Sequence, residues 1–223
     1  MEYLALVVIL GGLGIMAYFL TRSGKQSENK RAEVARARGW DYAPNNNTVV
    51  LNVPDEERNI SYRLSGLTSQ GNRWEMVARH LKSIEKTSDT TLKLGSSTEL
   101  IVDKKYQDYF LIMPHDGITL PDFILAEIFK RLDFPVDIPR VNNKELPDKL
   151  VQKYAVYALS PADLNFLTEA ADYLESWWAK YPGKYKAIIM AGGPDGVKVR
   201  TEMQVDKETD MEFFVDTALA LVD

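Results

Sequence analysis

The chain has 223 residues, of which 45% are hydrophobic and 26% are charged, a balance typical of a folded protein. It contains no cysteine, which excludes disulfide bonds, thiolate metal sites and a cysteine nucleophile. With only two histidines, His80 and His115, a multi-histidine metal site is disfavoured, and we expect no cofactor. The net charge is −5, and residues 39–223 carry −8, which argues against nucleic acid as a partner because phosphate binding requires a basic surface.

Residues 3–20 form an apolar segment, YLALVVILGGLGIMAYFL, that contains no charged side chain. As a helix it would span about 27 Å, close to the hydrocarbon thickness of a bilayer. A cleaved signal peptide is the alternative, but it would carry positive charge before a shorter apolar stretch, whereas Glu2 precedes this one. The sequence therefore predicts a transmembrane anchor over residues 1–22, with the lipid bilayer as a partner of residues 3–20.

Basic side chains follow the anchor and predict its orientation. Residues 1–38 hold six basic and three acidic side chains, and all six basic ones come after the apolar segment. Because Lys and Arg beside an anchor stay on the cytoplasmic side, we expect a single-pass membrane protein with its N-terminus outside and its C-terminal region in the cytoplasm. Arg22, Lys25, Lys30 and Arg31 flank the membrane and could also bind anionic headgroups.

Beyond the anchor, the chain divides by composition into four segments. Residues 23–39 resemble a basic juxtamembrane helix or stalk, with Ser27 as its cap and Gly39 at its end. Residues 40–132 form a β-rich half that ends in a helix over 121–132, and 133–150 form a proline-rich connection. Residues 151–223 form a second half with strands and helices, and the two halves could belong to one domain.

Alternation of apolar and polar positions predicts the strands, and a period of three to four residues predicts the helices. The predicted strands cover 60–67, 73–81, 98–103, 108–113, 153–159, 185–191 and 197–205. One helix begins with Ser160 as its cap and runs to about Lys180, and its predicted core-facing stripe is Leu164, Leu167, Ala171, Leu174 and Trp178. The last helix begins with Asp206 as its cap, and its predicted buried stripe is Met211, Phe214, Val215, Ala218 and Val222. Antiparallel strands with helices after each run of strands predict an α+β fold.

Four aromatic side chains cluster in the second half and form a possible interaction surface. Trp177 and Trp178 are adjacent, so their rings lie about 100° apart around a helix and cannot face the same side. Tyr173 and Tyr181 flank them. An aromatic patch that contacts a partner is one interpretation, and a domain core that covers both tryptophans is the other.

Candidate catalytic residues are few. His115 precedes Asp116 in a predicted turn, and His80 lies on the apolar face of a predicted strand, so structural roles are the simpler interpretation of both. The glycine cluster over 192–196 lacks the Lys-Ser/Thr pair of a phosphate loop and precedes a strand, which predicts a hairpin turn. We nominate no catalytic, cofactor-binding or metal-binding residue.

Three functional hypotheses follow from these features. The first is a membrane-tethered, non-enzymatic interaction or assembly module, such as an accessory subunit of a membrane complex, with protein partners at the membrane. The second is a membrane-anchored hydrolase or transferase that uses His115 or His80 with nearby carboxylates. The third is a ligand-sensing domain that signals through the anchor.

Overall fold

The computed structural model describes residues 24–44, 60–79, 96–115, 138–159, 166–183 and 186–223. The predicted anchor over residues 3–20 and the predicted helix over 121–132 lie outside these ranges, as do Arg22, His80, Asp116 and the predicted cap Ser160. Within the described ranges, no helix combines the length and the apolar content that crossing a bilayer requires.

In the described ranges, five strands follow the first helix, and three further strands and three further helices follow in the second half of the chain. Residues 24–37 are helical and form α1. The strands are β1 (Asp41–Pro44), β2 (Ile60–Leu67), β3 (Arg73–Arg79), β4 (Ser97–Val102), β5 (Phe110–Pro114), β6 (Tyr154–Ala158), β7 (Ile188–Gly193) and β8 (Gly196–Thr201). The other helices are a 3₁₀ turn (Asn143–Glu145), α2 (Asp148–Val151), α3 (Leu167–Lys180) and α4 (Glu208–Ala220).

The eight strands form a single antiparallel sheet in the order β1-β2-β3-β4-β8-β7-β5-β6. Strand β8, from the second half of the chain, pairs with β4, and β5, from the first half, lies between β7 and β6. The two halves therefore share one sheet. An antiparallel sheet with helices packed on it is an α+β arrangement, which confirms the predicted class for the described residues.

Helices α1, α3 and α4 pack on one face of the sheet, which we call the helix face. Every second side chain along a strand points to this face. The helices cover these side chains, so they are buried. Burying this much apolar surface stabilises the fold by about 25 cal/mol per Å² removed from water. Among the helix-face side chains are Tyr62, Leu64, Trp74, Met76, Leu100, Ile112, Val156, Met190 and Val199 from the sheet and Leu174, Trp177, Met211 and Phe214 from the helices.

The opposite face, which we call the outer face, differs between its two ends. Under β5, β6 and β7 it carries a second apolar cluster that includes Leu111, Met113 and Ile138. The segment that contains Ile138 runs along the edge of β6, where Val141 donates to the carbonyl of Val156 at 2.9 Å. The described part of the predicted connection thus covers a strand edge that would otherwise be open to pairing. Under β1–β4 the outer face is largely charged and partly exposed.

Two predicted helix caps are wrong. Ser27 lies inside α1, because the chain is helical from residue 24, and the N-cap of α4 is Lys207 rather than Asp206. The predicted end of α1 is confirmed, since Gly39 has a φ of 70°, the left-handed conformation that glycine adopts at low cost.

The strand predicted over 197–205 ends early, at Thr201. The hydroxyl of Thr98 donates to the carbonyl of Met203 at 2.9 Å and accepts from the N–H of Val205 at 3.2 Å. These two bonds hold the chain in a bend after β8. The buried Val205 therefore belongs to a loop that crosses the sheet end, although its place in the alternating pattern resembled a strand.

Candidate interaction surface

A tight hairpin turn between β2 and β3 positions one end of a groove on the outer face. The N–H of Thr68 donates to the carbonyl of Asn72 at 2.8 Å, and the Thr68 hydroxyl accepts from the N–H groups of Gln70 and Asn72 at 3.2 Å each. Gly71 supplies a φ of 84°, which the turn requires and which L side chains rarely adopt. The turn fixes the strand ends that carry the groove.

The groove has a volume of about 730 Å³ and lies across the outer face of β1–β4, with Asp195 from the β7–β8 turn at its far side. This volume is within the roughly 300–1,000 Å³ range of ligand pockets. We call it the outer-face groove. Its outward-facing charged and apolar side chains are those of Asp41, Arg63, Leu67, Arg73, Glu75, Ile101, Asp103 and Asp195.

The strand register places the groove residues in two neighbouring rows. Asp41 lies opposite Ser65, Ser65 opposite Glu75, and Glu75 opposite Ile101. Facing residues on adjacent antiparallel strands have Cβ atoms about 5 Å apart, so this row is continuous across four strands. In the next row Leu67 faces Arg73, whose carbonyl accepts the N–H of Asp103 at 2.9 Å.

Two large apolar side chains in the groove remain exposed to solvent. Leu67 is 65% exposed and Ile101 is 39% exposed, although both project from strands of a well-packed sheet. On the same face under β5, Leu111 is fully buried. The apolar cover that protects Leu111 therefore does not extend over Ile101.

Behind the groove, on the helix face at its β2–β3 end, a glycine packs against an indole. Gly66 faces Trp74 across the strand pair, and a Cβ added at Gly66 would come within 2.8 Å of the Trp74 ring. The other side of Trp74 meets Trp40 edge-on, with ring centroids 5.6 Å apart. Close packing around Trp74 holds this end of the β2–β3 pair in place.

Charges in the groove are unequally matched. Arg63 pairs with Glu75 at 2.5 Å, and the Tyr109 hydroxyl donates to Asp195 at 3.4 Å. Within the described part of the chain, neither Asp41 nor Asp103 forms an ion pair. The groove thus has four carboxylates against two guanidinium groups: Asp41, Glu75, Asp103 and Asp195 against Arg63 and Arg73.

The basic residues predicted to flank the membrane lie in a helix that is bound to the sheet region. The Arg31 guanidinium donates to the carbonyl of Asp206 at 2.7 Å and to the Ser27 hydroxyl at 3.0 Å, and it lies 4.7 Å from the centre of the Tyr62 ring. Lys30 pairs with Glu208 at 3.5 Å. Lys25 is exposed near the start of α1. Helix α1, predicted as a stalk, is therefore docked along its length.

The direction of α1 places the groove away from the start of this helix. Early in α1, Arg31 contacts Tyr62, which lies near the start of β2. After α1 ends, Trp40 contacts Trp74 at the opposite end of the β2–β3 pair. The described helix is about 20 Å long at 1.5 Å per residue. Leu67 and Asp103 lie at the Trp74 end, so the groove opens at the end of the sheet remote from residue 24.

The four aromatic residues predicted as an interaction surface have unequal exposure. Trp177 is fully buried between α3 and α4, where it stacks on Phe213 at 5.5 Å and donates to the carbonyl of Lys186 at 2.7 Å. Tyr181 donates to Asp210, and burial raises the pKa of its phenol. Trp178 is half-buried against Tyr154, and Tyr173 is 43% exposed. Tyr173, Trp178 and Tyr181 therefore keep exposed surface, and their contact with a partner stays a prediction.

His115 lies at the end of β5, outside the groove. Its Nε2 is 3.0 Å from the carbonyl oxygen of Val151, and its backbone N–H donates to the carbonyl of Lys153 at 2.9 Å. Both contacts join β5 to the turn before β6, which is a structural role.

The glycine cluster forms the predicted hairpin: Gly193 pairs with Gly196 around a turn at Pro194 and Asp195. The sequence did not indicate that Asp195, in this turn, faces the groove.

Comparison with known proteins gives little further information. No protein-family model matches the chain, and no curated protein matches it. Among solved structures, the chain is similar to the mycobacterial trehalose monomycolate transport factor A, TtfA, at 13% identity and a TM-score of 0.42, covering 87% of this chain and 91% of that one. A similarity of this size establishes neither a shared fold nor a shared function.

Proposed function

We propose that this protein is a membrane-tethered, non-enzymatic interaction module that binds a protein partner in the outer-face groove. The observation that carries the proposal is the exposure of Leu67 and Ile101 in a groove of about 730 Å³. Exposed apolar residues inside a polar rim are typical of binding surfaces. A partner that covers them would remove from water the apolar surface that the fold itself leaves open.

The tether in this proposal is the apolar segment over residues 3–20, and the docked helix α1 supports it. Only residues 21–23 separate that segment from the described start of α1. Contacts of Arg31 and Lys30 hold α1 on the sheet region, so the anchor and the groove would keep a fixed relationship. The groove would then face away from the bilayer, where a cytoplasmic segment of a partner can reach it.

Site-specific photocrosslinking in cells that express the full chain tests the interaction. The full chain would carry benzoylphenylalanine at position 101 in the groove, and in a second variant at position 173 on α3. The proposal requires that position 101 gives a discrete adduct with another protein, identified reproducibly by mass spectrometry. Adducts at position 173 alone would locate the interface on the aromatic patch and would overturn the groove assignment.

A matched substitution shows whether the adduct depends on the groove. Ile101→Glu removes the apolar contact and adds a carboxylate, and we expect it to abolish an adduct formed from benzoylphenylalanine at position 67, elsewhere in the groove. Tyr173→Glu also introduces a carboxylate at an exposed position, but outside the groove, and should leave that adduct unchanged. Equal loss in both variants would contradict the proposal.

The tether requires its own test. Membranes from cells that express the full chain would be washed with alkaline carbonate, which releases peripheral proteins. We expect the full chain to remain with the membrane and a variant lacking residues 1–22 to be released. Release of the full chain would contradict the anchor without affecting the groove assignment.

A further inference from the structure

The unequal charge of the outer-face groove identifies the chemistry of what it binds. We propose that the groove takes a short basic segment of a partner protein, in which an apolar side chain packs on Ile101 and a neighbouring Lys or Arg pairs with Asp103 or Asp195. The inference rests on the proposed function and specifies the partner that the function requires.

The apolar part of the segment is set by Ile101. In its row Ile101 lies between Glu75 on β3 and Lys198 on β8, so polar side chains flank it on both sides. It is 39% exposed, and Leu67 in the next row is 65% exposed. A partner side chain that packs there contacts one or two apolar groups and then meets charge. That pattern fits a short segment with a single apolar anchor better than a broad apolar surface.

The basic part of the segment is set by the carboxylates near Ile101. Asp103 follows β4 two residues after Ile101, and the backbone at Gly196, beside Asp195, packs close to Val102. Arg63 is occupied by Glu75, so Arg73, together with Lys198 beside Ile101, opposes Asp41, Asp103 and Asp195. All three of these carboxylates belong to exposed residues. A cationic side chain that enters the groove is attracted by an excess of one negative charge, because four carboxylates face Arg63, Arg73 and Lys198.

The same charge balance disfavours other occupants. An anionic lipid surface or a nucleic acid would meet a net negative groove on a chain whose own net charge is −5. A second copy of the chain would bring the same negative charge. A basic segment is attracted to the groove instead, and this attraction should weaken as the salt concentration increases.

Peptide titration of the full chain in uncharged detergent micelles tests the inference. The chain carries isotope-labelled isoleucine methyl groups, and the Ile101 methyl signal is assigned with Ile101→Val. The probe is the peptide Lys-Ser-Ile-Ser-Lys, compared with Glu-Ser-Ile-Ser-Glu and Lys-Ser-Ser-Ser-Lys. We expect the first to shift the Ile101 signal with a Kd of about 0.1–1 mM, an affinity typical of a few contacts. Each comparison peptide should bind at least about fivefold more weakly because it lacks one of the two contacts.

The control variants separate charge in the groove from charge elsewhere. Asp103→Asn combined with Asp195→Asn should weaken binding of Lys-Ser-Ile-Ser-Lys by at least about fivefold, whereas Asp172→Asn on α3 should not change it. Equal binding of the glutamate peptide, or a shift confined to other isoleucines, would overturn the inference.

The partner captured at position 101 distinguishes failure of this inference from failure of the proposed function. Mass spectrometry of the adduct identifies the crosslinked segment of the partner. A segment with Lys or Arg beside an apolar residue supports both proposals. An acidic segment, or one without a basic residue, leaves the interaction function standing and overturns the basic-segment inference.

Discussion

The guanidinium of Arg31 reaches from α1 to the backbone carbonyl of Asp206 at 2.7 Å, joining residues 175 positions apart in the chain. The same guanidinium lies over the Tyr62 ring at 4.7 Å. Helix α1 and the loop before α4 are therefore held together at the same end of β2. This contact makes α1 part of the sheet region and gives the chain after the predicted anchor a fixed path.

Arg31→Ala should loosen this attachment. We expect the free energy of unfolding to fall by about 1–3 kcal/mol, because a charge-assisted hydrogen bond and a cation–π contact are lost together. Chemical unfolding of the full chain in mild detergent would measure it. Arg36→Ala is the control, because Arg36 lies on the exposed side of the same helix, and a change of similar size in both variants would contradict the assigned role.

The adjacent tryptophans of α3 should differ sharply in their contribution to stability. Trp177→Ala removes a fully buried ring together with its hydrogen bond to Lys186, and we expect it to cost about 3–5 kcal/mol. Trp178→Ala removes a half-buried ring and should cost less than half as much. The same unfolding measurement compares them, and equal losses would show that the Trp177 cluster is not the main contact between α3 and α4.

Periodicity predicted the elements well and their faces less well. The buried stripe expected on α4, from Met211 to Val222, is buried in the structure. On α3 the predicted stripe included Trp178, but the buried residue is Trp177, because α3 packs against Phe213 and Phe214 of α4 on that side. A three-to-four-residue pattern allows both positions, and only the neighbouring helix decides between them.

A methyl group at Gly192 should disrupt the sheet. Gly192 faces Phe110 on β5, and an added Cβ would come within 2.4 Å of the Phe110 ring. We expect Gly192→Ala to destabilise the fold by about 1–3 kcal/mol through overpacking, and unfolding of the full chain would measure it. Combining it with Phe110→Leu should recover part of the loss, whereas Gly24→Ala, with open space around its Cβ position, should not destabilise. A neutral Gly192→Ala would show that the sheet can shift there.

The groove could not be predicted from the sequence because its residues come from distant parts of the chain. Asp41, Ile101 and Asp195 meet only because β1 to β4 lie side by side and β8 joins β4. The pairing of β4 with β8 spans about a hundred residues and leaves no local pattern. The available signal was Ile101 itself, an apolar residue out of phase with the buried Leu100 and Val102. It fits a continuous apolar strand equally well, so it did not indicate exposure.

The buried phenol of Tyr62 should make the stability of the protein fall in alkaline solution. Its phenol is buried on the helix face and donates to the carbonyl of Val205. Burial raises the pKa of this phenol above its ordinary value of 10.0, although the nearby Arg31 acts in the opposite direction. The unfolded chain therefore loses the Tyr62 proton above about pH 10, while the folded chain keeps it. The contribution of Tyr62 to the free energy of unfolding is fully present below pH 10 and is lost as the pH rises further.

Unfolding of the full chain at several pH values between 9 and about 11.5 would measure this loss. Tyr62 alone should contribute a slope approaching about 1.4 kcal/mol per pH unit above pH 10. Tyr62→Phe should be less stable at neutral pH, because it loses the bond to Val205, yet its stability should fall less steeply above pH 10. Tyr173→Phe, which alters an exposed tyrosine, should keep the slope of the unaltered protein. If Tyr62→Phe and the unaltered protein share one slope, the Tyr62 phenol is ionising in the folded state.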